Sequence, residues 1–262
     1  MTTTNQETPP VDSASLILLR DGPQGLEVLL LRRHENSQVL GGTYVFPGGK
    51  MDAADCTPDA LAALDQDAAT LHTRLGEPEL PTEKAAGLFL AALREAQEEA
   101  GIDFRYHGHW AVSAVHPWSR WITPRNPVIG SRRFDTRFFI AVMPEGQQAR
   151  HDDFEATEAV WLSPRHALER HWAGEMDLIP PQLLGLAQLA RHADVASAWA
   201  EAQQSPIRCI LPVLFDADGT KGMCYPGDPL HPEPQRVMPG PTRVRYANKR
   251  FEPFNGFKEW FQ

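Results

Sequence analysis

The stretch Arg94-Glu95-Ala96-Gln97-Glu98-Glu99-Ala100-Gly101-Ile102 places three carboxylates on one side of a predicted helix and ends that helix at a glycine. At about 100° per residue, Glu95, Glu98 and Glu99 fall within one sector of roughly 100°. The apolar residues of the same helix fall in a different sector, which predicts that this second side packs on a core. Neighbouring like charges repel, and a divalent cation would offset that repulsion because hard cations take carboxylate oxygens as ligands. The alternative interpretation is a solvated acidic face.

The composition predicts a globular protein with one elaborated domain, or with one domain and a smaller annex. The chain has 262 residues, of which 42% are hydrophobic, and it contains seven Trp. Its cysteines are Cys56, Cys209 and Cys224, without a Cys-x-x-Cys spacing. This sparse set indicates neither a disulfide framework nor a zinc site, and it fits a reducing compartment.

Charge and hydropathy disfavour several classes of function. A net charge of -9 argues against nonspecific binding to nucleic acid or to a membrane surface. No apolar run approaches the roughly 20 residues that span a bilayer. The polar start of the chain lacks the basic and apolar segments of a secretory signal. We therefore expect a cytoplasmic protein with neither nucleic acid nor a membrane as a partner.

Apolar periodicity and turn residues predict a chain that mixes strands and helices. The expected strands lie at residues 15–19, 27–32, 43–46, 110–115, 137–143 and 157–162. The expected helices lie at residues 57–75, from about 82 to the stop at Gly101, at 181–191 and at 194–202. After about residue 205 the pattern changes to short strands, at 207–215, 222–225 and 242–246.

Two further segments accompany the acidic helix. Phe46-Pro47-Gly48-Gly49-Lys50 follows a predicted strand, and adjacent glycines let a backbone turn tightly and approach another group closely. Downstream, Glu155 and Glu158 lie just before or at the start of the predicted strand that contains Trp161. Each segment alone is compatible with an ordinary turn or with surface charges, but together with the acidic helix they favour a functional site.

Together these residues resemble the signature of the Nudix hydrolase family, Gly-x5-Glu-x7-Arg-Glu-apolar-x-Glu-Glu-x-Gly-apolar. The chain departs from that signature twice: Asp55 stands at the first glutamate, and residues 56–93 separate it from Arg94. The positions that match or replace those of the signature, the Nudix box, are Gly49, Asp55, Arg94, Glu95, Glu98, Glu99 and Gly101.

An insertion inside the box is typical of one branch of the family. Over about residues 13–193 the chain resembles the branch that includes coenzyme A diphosphatases with such an insertion. The upstream sequence of coenzyme A-cleaving relatives is present in part, at Arg33, Gly42 and residues 46–49.

The resemblance implies an architecture. The expected class is α+β, a Nudix-type α-β-α sandwich with a mixed β-sheet, a helical insertion within the Nudix box and a C-terminal β-rich extension. The expected division is a disordered tail at 1–12, a Nudix domain at 13–204 with the insertion at 56–82, and an extension at 205–262 packed on the same domain. The insertion carries an apolar stripe, Leu61, Leu64, Leu71 and Leu75, which needs a surface to pack on. We expect the insertion to pack beside the mouth of the active site or on a partner subunit.

The resemblance also implies a metal site. The implied ligands of Mg2+ or Mn2+ are Glu95, Glu98, Glu99 and the carbonyl of Gly49. Such ions bind a diphosphate and lower the pKa of the attacking water. Arg94 is expected to fix the carboxylates by salt bridges, and Glu98 belongs with it to the catalytic set. An ordinary surface ion pair is the alternative for Arg94.

The general base and the substrate-binding residues are implied less directly. Family members take the base either from the box or from a later loop, where Glu155 is the first candidate and Glu158 the second. The candidates for substrate binding are Arg33, Gly48 and Arg133. Solvated surface charge is the alternative for these two arginines.

The function implied by the resemblance is metal-dependent hydrolysis of a nucleoside diphosphate linked to another moiety. The leading substrate is coenzyme A or acyl-coenzyme A, which yields adenosine 3′,5′-bisphosphate and a 4′-phosphopantetheine product. ADP-ribose or NADH is the alternative substrate. A non-catalytic nucleotide sensor is the alternative of a different class, since one fold hosts several functions. A homodimer is a further expectation from the family.

Overall fold

The computed structural model describes residues 9–37, 40–125, 132–152, 154–217 and 219–262. The strands are β1 (Val11–Gly22), β2 (Gly25–Arg33), β3 (Tyr44–Val45), β4 (Gly48–Lys50), β5 (Arg105–Tyr106), β6 (His109–Trp110), β7 (Val115–Ile122), β8 (Phe134–Val142), β9 (Ala156–Leu162), β10 (Arg208–Ile210), β11 (Val213–Ala217), β12 (Thr220–Cys224), β13 (Arg243–Ala247) and β14 (Arg250–Pro253). The α-helices are α1 (Pro58–Ala62), α2 (Ala68–Leu75), α3 (Thr82–Ala100), α4 (Pro164–Ala173), α5 (Pro180–Leu189) and α6 (Val195–Gln204).

Most strands before residue 211 form one mixed sheet. Its order is β10-β7-β8-β1-β2-β3, with β4 paired to β1 and β9 paired to β2. Strand β1 runs parallel to β8 and antiparallel to both β2 and β4. The last four strands form a separate antiparallel sheet in the order β11-β12-β13-β14. The predicted mixed sheet and the C-terminal β-rich extension are therefore confirmed.

Alternation along β1 distributes its side chains between two cores, because successive side chains of a strand point to opposite faces. Leu16 and Leu18 join the core that contains α1, α2 and α3. Ile17 and Leu19 join the core that contains α4, α5, α6 and the second sheet. Helices cover both faces of the main sheet, which confirms the α-β-α sandwich. Within the described ranges, no helix is both long and apolar enough to cross a lipid bilayer.

The first strand starts earlier than expected. It begins at Val11, inside the predicted tail at 1–12, and Val11 and Asp12 pair with Phe134 and Asp135 of β8. Asp12 also accepts a hydrogen bond from the guanidinium of the buried Arg137 at 2.5 Å. These pairings order a segment whose polar sequence predicted a frayed end. Residues 1–8 of that tail lie outside the described part of the chain.

The predicted strand at 110–115 is wrong. Trp110 closes the short hairpin of β5 and β6, a 3-10 turn follows at Val112–Ala114, and the sheet strand begins at Val115. The backbone of Trp110 bonds to the insertion instead, donating to the carbonyl of Ala63 at 2.8 Å and accepting from the N–H of Asp65 at 3.0 Å. A contact between distant segments therefore replaces the ladder pairing that the local pattern suggested.

The insertion forms two helices where a single helix was predicted. Helix α1 ends at Ala62, and Asp67 starts α2 by accepting a hydrogen bond from the backbone N–H of Thr70 at 2.9 Å. The apolar residues of the stripe are still buried together, since Leu71 and Leu75 lie in the same core as the apolar residues of α3. The partner surface of the stripe is thus the helix of the Nudix box.

Candidate active site

Helix α3 carries the acidic residues on the side opposite its core contacts. Phe89, Leu93 and Ala96 are fully buried, and Gly101 ends the helix in the left-handed conformation with φ 68°, where glycine carries no steric penalty. Glu98 is exposed, whereas Glu99 retains only 5% exposure. One helix therefore presents carboxylates at different depths.

Arg94 is the centre of a carboxylate cluster. Its guanidinium donates to both carboxylate oxygens of Asp55, at 2.9 and 3.0 Å, and to Glu95 and Glu98 at 2.9 and 2.8 Å. Burial alone would lower the pKa of Arg94, but the hydrogen bonds to Asp55 and the attraction to Glu95 raise it overall. The predicted i,i+4 salt bridge to Glu98 is present, and Arg94 also holds the rest of the box together.

Asp55 rejoins the two halves of the split signature. It lies in a 3-10 turn at Ala53–Cys56 and is 3% exposed. A Cβ atom at Gly87 of α3 would lie 2.6 Å from the sulfur of Cys56, so the glycine leaves room for this turn on the helix. The turn brings the shorter aspartate close enough for a two-point contact with Arg94. The substitution of Asp for Glu therefore preserves the link within the box.

The two glycines of β4 lie against the glutamates of α3. The backbone N–H of Gly48 donates to Glu99 at 2.9 Å. A Cβ atom at Gly49 would lie 2.4 Å from a carboxylate oxygen of Glu95, closer than such atoms approach in proteins. A side chain at this position would therefore displace the carboxylate of Glu95 from where it lies.

The glutamates of the cluster are electrostatically destabilised in their charged forms. Burial raises the pKa of Glu99 to about 8, and repulsion from Glu95 and Glu155 adds to the rise, while the Gly48 N–H opposes it. Burial also raises the pKa of Glu95 despite the attraction and hydrogen bond of Arg94, and repulsion from Glu98 and Glu155 adds smaller contributions to the rise. Glu155 therefore lies close enough to the box glutamates to interact with them, although it is distant in sequence.

The two predicted candidates for the base occupy different places. The loop before β9 is fixed by Asp152, which accepts from the backbone N–H of Glu155 at 3.0 Å, and by the N–H of His34, which donates to the Glu155 carbonyl at 2.8 Å. The exposed side chain of Glu155 lines the cleft described below. Glu158 instead accepts a hydrogen bond from the hydroxyl of Tyr44 at 2.5 Å and is not among the cleft residues.

One cleft of about 670 Å³ is lined by charged residues around Arg94, here called its acidic end, and by apolar residues of the two sheets and α5, here called its apolar arm. The acidic end is lined by Arg33, Lys50, Asp52, Arg94, Glu95, Glu98 and Glu155, beside the backbone of Gly48 and Gly49. The apolar arm is lined mainly by Trp121, Phe134, Phe138, Ile179, Met223 and Phe251. The Nε atom of Arg33 is buried without a hydrogen-bond partner among the described residues, so a cation at the acidic end is available to a ligand.

The other predicted substrate-binding arginine lies outside the cleft. Arg133 donates from Nε to the carbonyl of Thr123 at 3.1 Å, and its own carbonyl accepts from the N–H of Val11. Its neighbour Arg132 lines the cleft in its place. The insertion does not contribute to the cleft, since no described residue from 56 to 82 lines it, and its expected contact with a partner subunit stays a prediction. Its helices pack on α3 and leave the mouth to other segments.

The chemistry of the donor set fits a hard divalent cation. Repulsion from Glu155 raises the pKa of both Glu95 and Glu99, and Glu95 raises that of Glu99 further, whereas an added cation would lower both. In the arrangement of the described residues, no three His, Cys, Asp or Glu side chains are grouped closely enough to hold an ion. Arg94 accounts for this, because its guanidinium holds Glu95 and Glu98. The predicted ligands Glu95 and Glu98 are thus both hydrogen-bonded to Arg94 in this arrangement.

Sequence reasoning missed most of the apolar arm. Gln182 follows two prolines at the start of α5, and Met223 and Phe251 belong to the second sheet. All three are buried and line the cleft. No local pattern marks them, because their placement depends on how the last part of the chain returns to the main sheet. Lys50 had a signal, since it directly follows the double glycine.

Comparisons with known proteins agree with this geometry. The model of the NUDT19 Nudix domain matches residues 108–189, a segment that begins after the box. The acyl-coenzyme A diphosphatase NUDT19 of Homo sapiens is 27% identical and covers 80% of this chain and 73% of its own length. The corresponding protein of Gallus gallus is 26% identical, with coverages of 81% and 74%.

A solved structure supports the fold independently. A NUDIX hydrolase from Alicyclobacillus acidocaldarius superposes with a TM-score of 0.58 at 24% identity and covers 74% of this chain and 96% of its own. This likeness concerns the fold, whereas the reassembled box and the domain match concern the site and the downstream segment. These three lines of evidence agree, since the box, the downstream segment and the fold each resemble those of the Nudix hydrolase superfamily.

Proposed function

We propose that the protein hydrolyses the diphosphate linkage of coenzyme A or acyl-coenzyme A in the presence of Mg2+ or Mn2+. The products are adenosine 3′,5′-bisphosphate and 4′-phosphopantetheine or its acyl form. The observation that carries this proposal is one cleft that is lined both by a carboxylate cluster and by a set of apolar side chains. The names of the Homo sapiens and Gallus gallus relatives supply the substrate class.

Glu95, Glu98, Glu99 and the carbonyl of Gly49 are the residues proposed to hold the ions. When bound, Mg2+ or Mn2+ neutralises charge on the diphosphate and lowers the pKa of the attacking water. Glu98 has the most freedom to turn, because its side chain is 57% exposed. Arg94 is a positioning residue, since it contacts the carboxylates and holds the two halves of the box together.

Glu155 is the proposed general base. Its carboxylate is exposed within the cleft and close enough to Glu95 and Glu99 to shift their pKa. In the proposed step, a water oxygen attacks one phosphorus, the bond from that phosphorus to the bridging oxygen breaks, and Glu155 takes the water proton. Arg33, whose Nε atom has no hydrogen-bond partner within the described ranges, pairs with a phosphate of the substrate.

The apolar arm favours coenzyme A esters over the alternative substrates. ADP-ribose and NADH carry a second sugar beyond the diphosphate, whereas coenzyme A carries a flexible chain of methylene and amide groups. The non-catalytic alternative is disfavoured because a pure binder has no need of an intact carboxylate set. The homodimer, the cytoplasmic location and the division at residues 204 and 205 stay predictions. Met223 and Phe251 from the extension line the cleft, which supports its packing on the same domain.

The test is hydrolysis of coenzyme A, octanoyl-coenzyme A, ADP-ribose, NADH and diadenosine polyphosphates with Mg2+ or Mn2+, with the products identified by mass. We expect metal-dependent release of adenosine 3′,5′-bisphosphate, fastest from a coenzyme A compound. Faster cleavage of ADP-ribose would overturn the substrate assignment. Binding of these compounds without turnover would favour the sensor.

A further inference from the structure

The cleft is lined by a buried amide whose oxygen has no hydrogen-bond partner among the described residues. Gln182 is 5% exposed, and its Oε1 atom is buried without a hydrogen bond to any described residue. The residue lines the cleft. An unpaired polar atom in an apolar wall destabilises a protein, and leucine would fill similar space without that penalty. A glutamine at this position is explained if a ligand supplies the missing partner.

The start of α5 fixes where this amide lies. Ile179 precedes the helix, and Pro180 and Pro181 occupy its first two positions, where proline is favoured because its missing N–H has no intrahelical partner. All three residues line the cleft together with Gln182. The amide therefore projects from a rigid, largely apolar wall.

The chemistry of this wall specifies the ligand. A side-chain amide accepts from an N–H and donates to a carbonyl, so it complements another amide whichever way it is turned. Phe138 and Ile179 make the surroundings apolar. The group that fits is a secondary amide between methylene segments. The pantetheine arm of coenzyme A has this composition, whereas ADP-ribose lacks any amide.

The far wall of the arm comes from the C-terminal extension. Met223 of β12 and Phe251 of β14 are 6% and 4% exposed and line the cleft. Their sheet is tied to the main domain, because the buried His171 of α4 hydrogen-bonds to the Phe251 carbonyl at 2.8 Å. The ring of Tyr225 also meets that of Trp121 edge-on, at 5.8 Å between centroids. The extension therefore holds a fixed wall against the sheet.

We propose that Gln182 pairs with an amide of the pantetheine arm and that Met223 and Phe251 bound the space for the acyl chain. This inference rests on the proposed function and assigns the selection of acyl-coenzyme A to α5 and the extension. The Nudix box then supplies the hydrolysis, and residues far from it in sequence select the substrate.

The first variant is Gln182→Leu, with Gln188→Leu as the matched control. Gln188 lies on the same helix and donates to Glu201 at 2.6 Å, and it does not line the cleft. We expect Gln182→Leu to raise the KM for coenzyme A and octanoyl-coenzyme A about tenfold, the loss of about 1.4 kcal/mol of binding. Its kcat and its kcat/KM for ADP-ribose should stay within twofold of wild type, and the control should keep all these values.

A binding measurement separates this inference from the proposed function. Pantetheine, which has no diphosphate, is expected to raise the Tm of the wild-type protein but not that of Gln182→Leu. Gln182→Met provides a second apolar variant if leucine does not fit the site. Met223→Trp is expected to reduce kcat/KM for octanoyl-coenzyme A at least fivefold more than for coenzyme A, because the larger side chain shortens the apolar arm of the cleft.

The outcomes are distinguishable. If wild type cleaves coenzyme A but Gln182→Leu and Gln182→Met keep its KM and its response to pantetheine, the inference is wrong and the proposed function stands. If wild type cleaves only ADP-ribose, the proposed function fails. In that case pantetheine binding that depends on Gln182 would still support the amide site, and its absence would overturn the inference as well.

Discussion

Two arginine-centred clusters in this protein differ in their balance of charge. Around Arg137, which is 2% exposed, three carboxylates (Asp12, Glu77 and Asp135) pair with three cations (Arg137, Arg120 and Lys84). Around Arg94, four carboxylates (Asp52, Asp55, Glu95 and Glu98) pair with that one guanidinium at distances up to 4.0 Å.

The pKa values follow this difference. Burial would raise the pKa of Asp12, but Lys84 and Arg137 lower it overall. Burial raises the pKa of Glu99 and of Glu95, and their carboxylate neighbours add to the rise. The charge-balanced cluster around Arg137 joins the insertion to the main sheet. The cluster around Arg94 has surplus negative charge and is suited to bind a cation. Charge balance, more than burial or the presence of an arginine, distinguishes a structural cluster from a functional one.

The largest expected effect is a loss of stability on breaking the charge-balanced cluster around Arg137. Arg137→Met leaves Asp12, Glu77 and Asp135 without their buried cation, and removing one partner of a buried ion pair costs about 3–5 kcal/mol. We expect a loss of that size in the free energy of unfolding, measured by urea denaturation. The kcat of the remaining folded protein should stay within about twofold of wild type. A loss of activity per folded molecule would show that this cluster is not merely structural.

The second-largest effect is a loss of catalysis that leaves the stability of the protein almost unchanged. Glu98→Gln removes a proposed metal ligand from an exposed position, so kcat should fall roughly 100- to 1000-fold, as when one group that stabilises the transition state is lost. The Tm without metal should change little, since the side chain is half in solvent. Activity near wild type would remove Glu98 from the site.

The third effect is on the pH dependence of the metal-free protein. Because the pKa of Glu99 rises from 4.5 to about 8 on folding, the folded state binds the proton more tightly. The stability that this proton contributes is complete below about pH 4.5 and is lost as the pH rises to about 8. Between pH 6 and pH 8 we expect a loss of roughly 2 kcal/mol.

Glu99→Gln should lose that pH dependence, because glutamine does not titrate. Thermal unfolding in the presence of a chelator measures the effect, with Glu98→Gln as the control that retains the slope. Parallel profiles for wild type and Glu99→Gln would contradict the assignment of the raised pKa to Glu99.

The smallest effect is expected at Glu158, and comparing it with Glu155 separates the two candidates for the base. Glu158 is hydrogen-bonded to Tyr44 outside the cleft, so Glu158→Gln should change kcat less than about twofold. Glu155→Gln at the cleft should lower kcat by roughly 100-fold or more, the usual contribution of a general base. Stopped assays over a range of pH provide the comparison. A reversal of the two results would return the role to Glu158.

The carboxylate end was predictable because local rules determine it. Helical spacing puts Glu95, Glu98 and Glu99 on one side of α3, and Gly101 ends the helix as expected. The family resemblance then explains why Asp55 returns to Arg94 across the insertion. These features depend on a few residues within one helix and one turn.

The remainder of the cleft was not predictable from local patterns. Arg133 looked equivalent to its neighbour Arg132, but its guanidinium bonds to the Thr123 carbonyl beside the sheet. Gln182 and Phe251 line the same cleft only because the second sheet packs back on the main domain. Such contacts depend on tertiary packing, and neither periodicity nor composition records them.

The most direct test of the central claim is titration of the chelator-treated protein with Mn2+ at pH 8, followed by calorimetry. Surplus charge at the Arg94 cluster predicts that wild type and Glu158→Gln bind Mn2+ alike. Glu98→Gln and Glu99→Gln should bind it at least about tenfold more weakly, since each loses a charged ligand. A folded wild-type protein that binds no Mn2+, or four proteins with equal affinity, would contradict the claim that this cluster is the metal site.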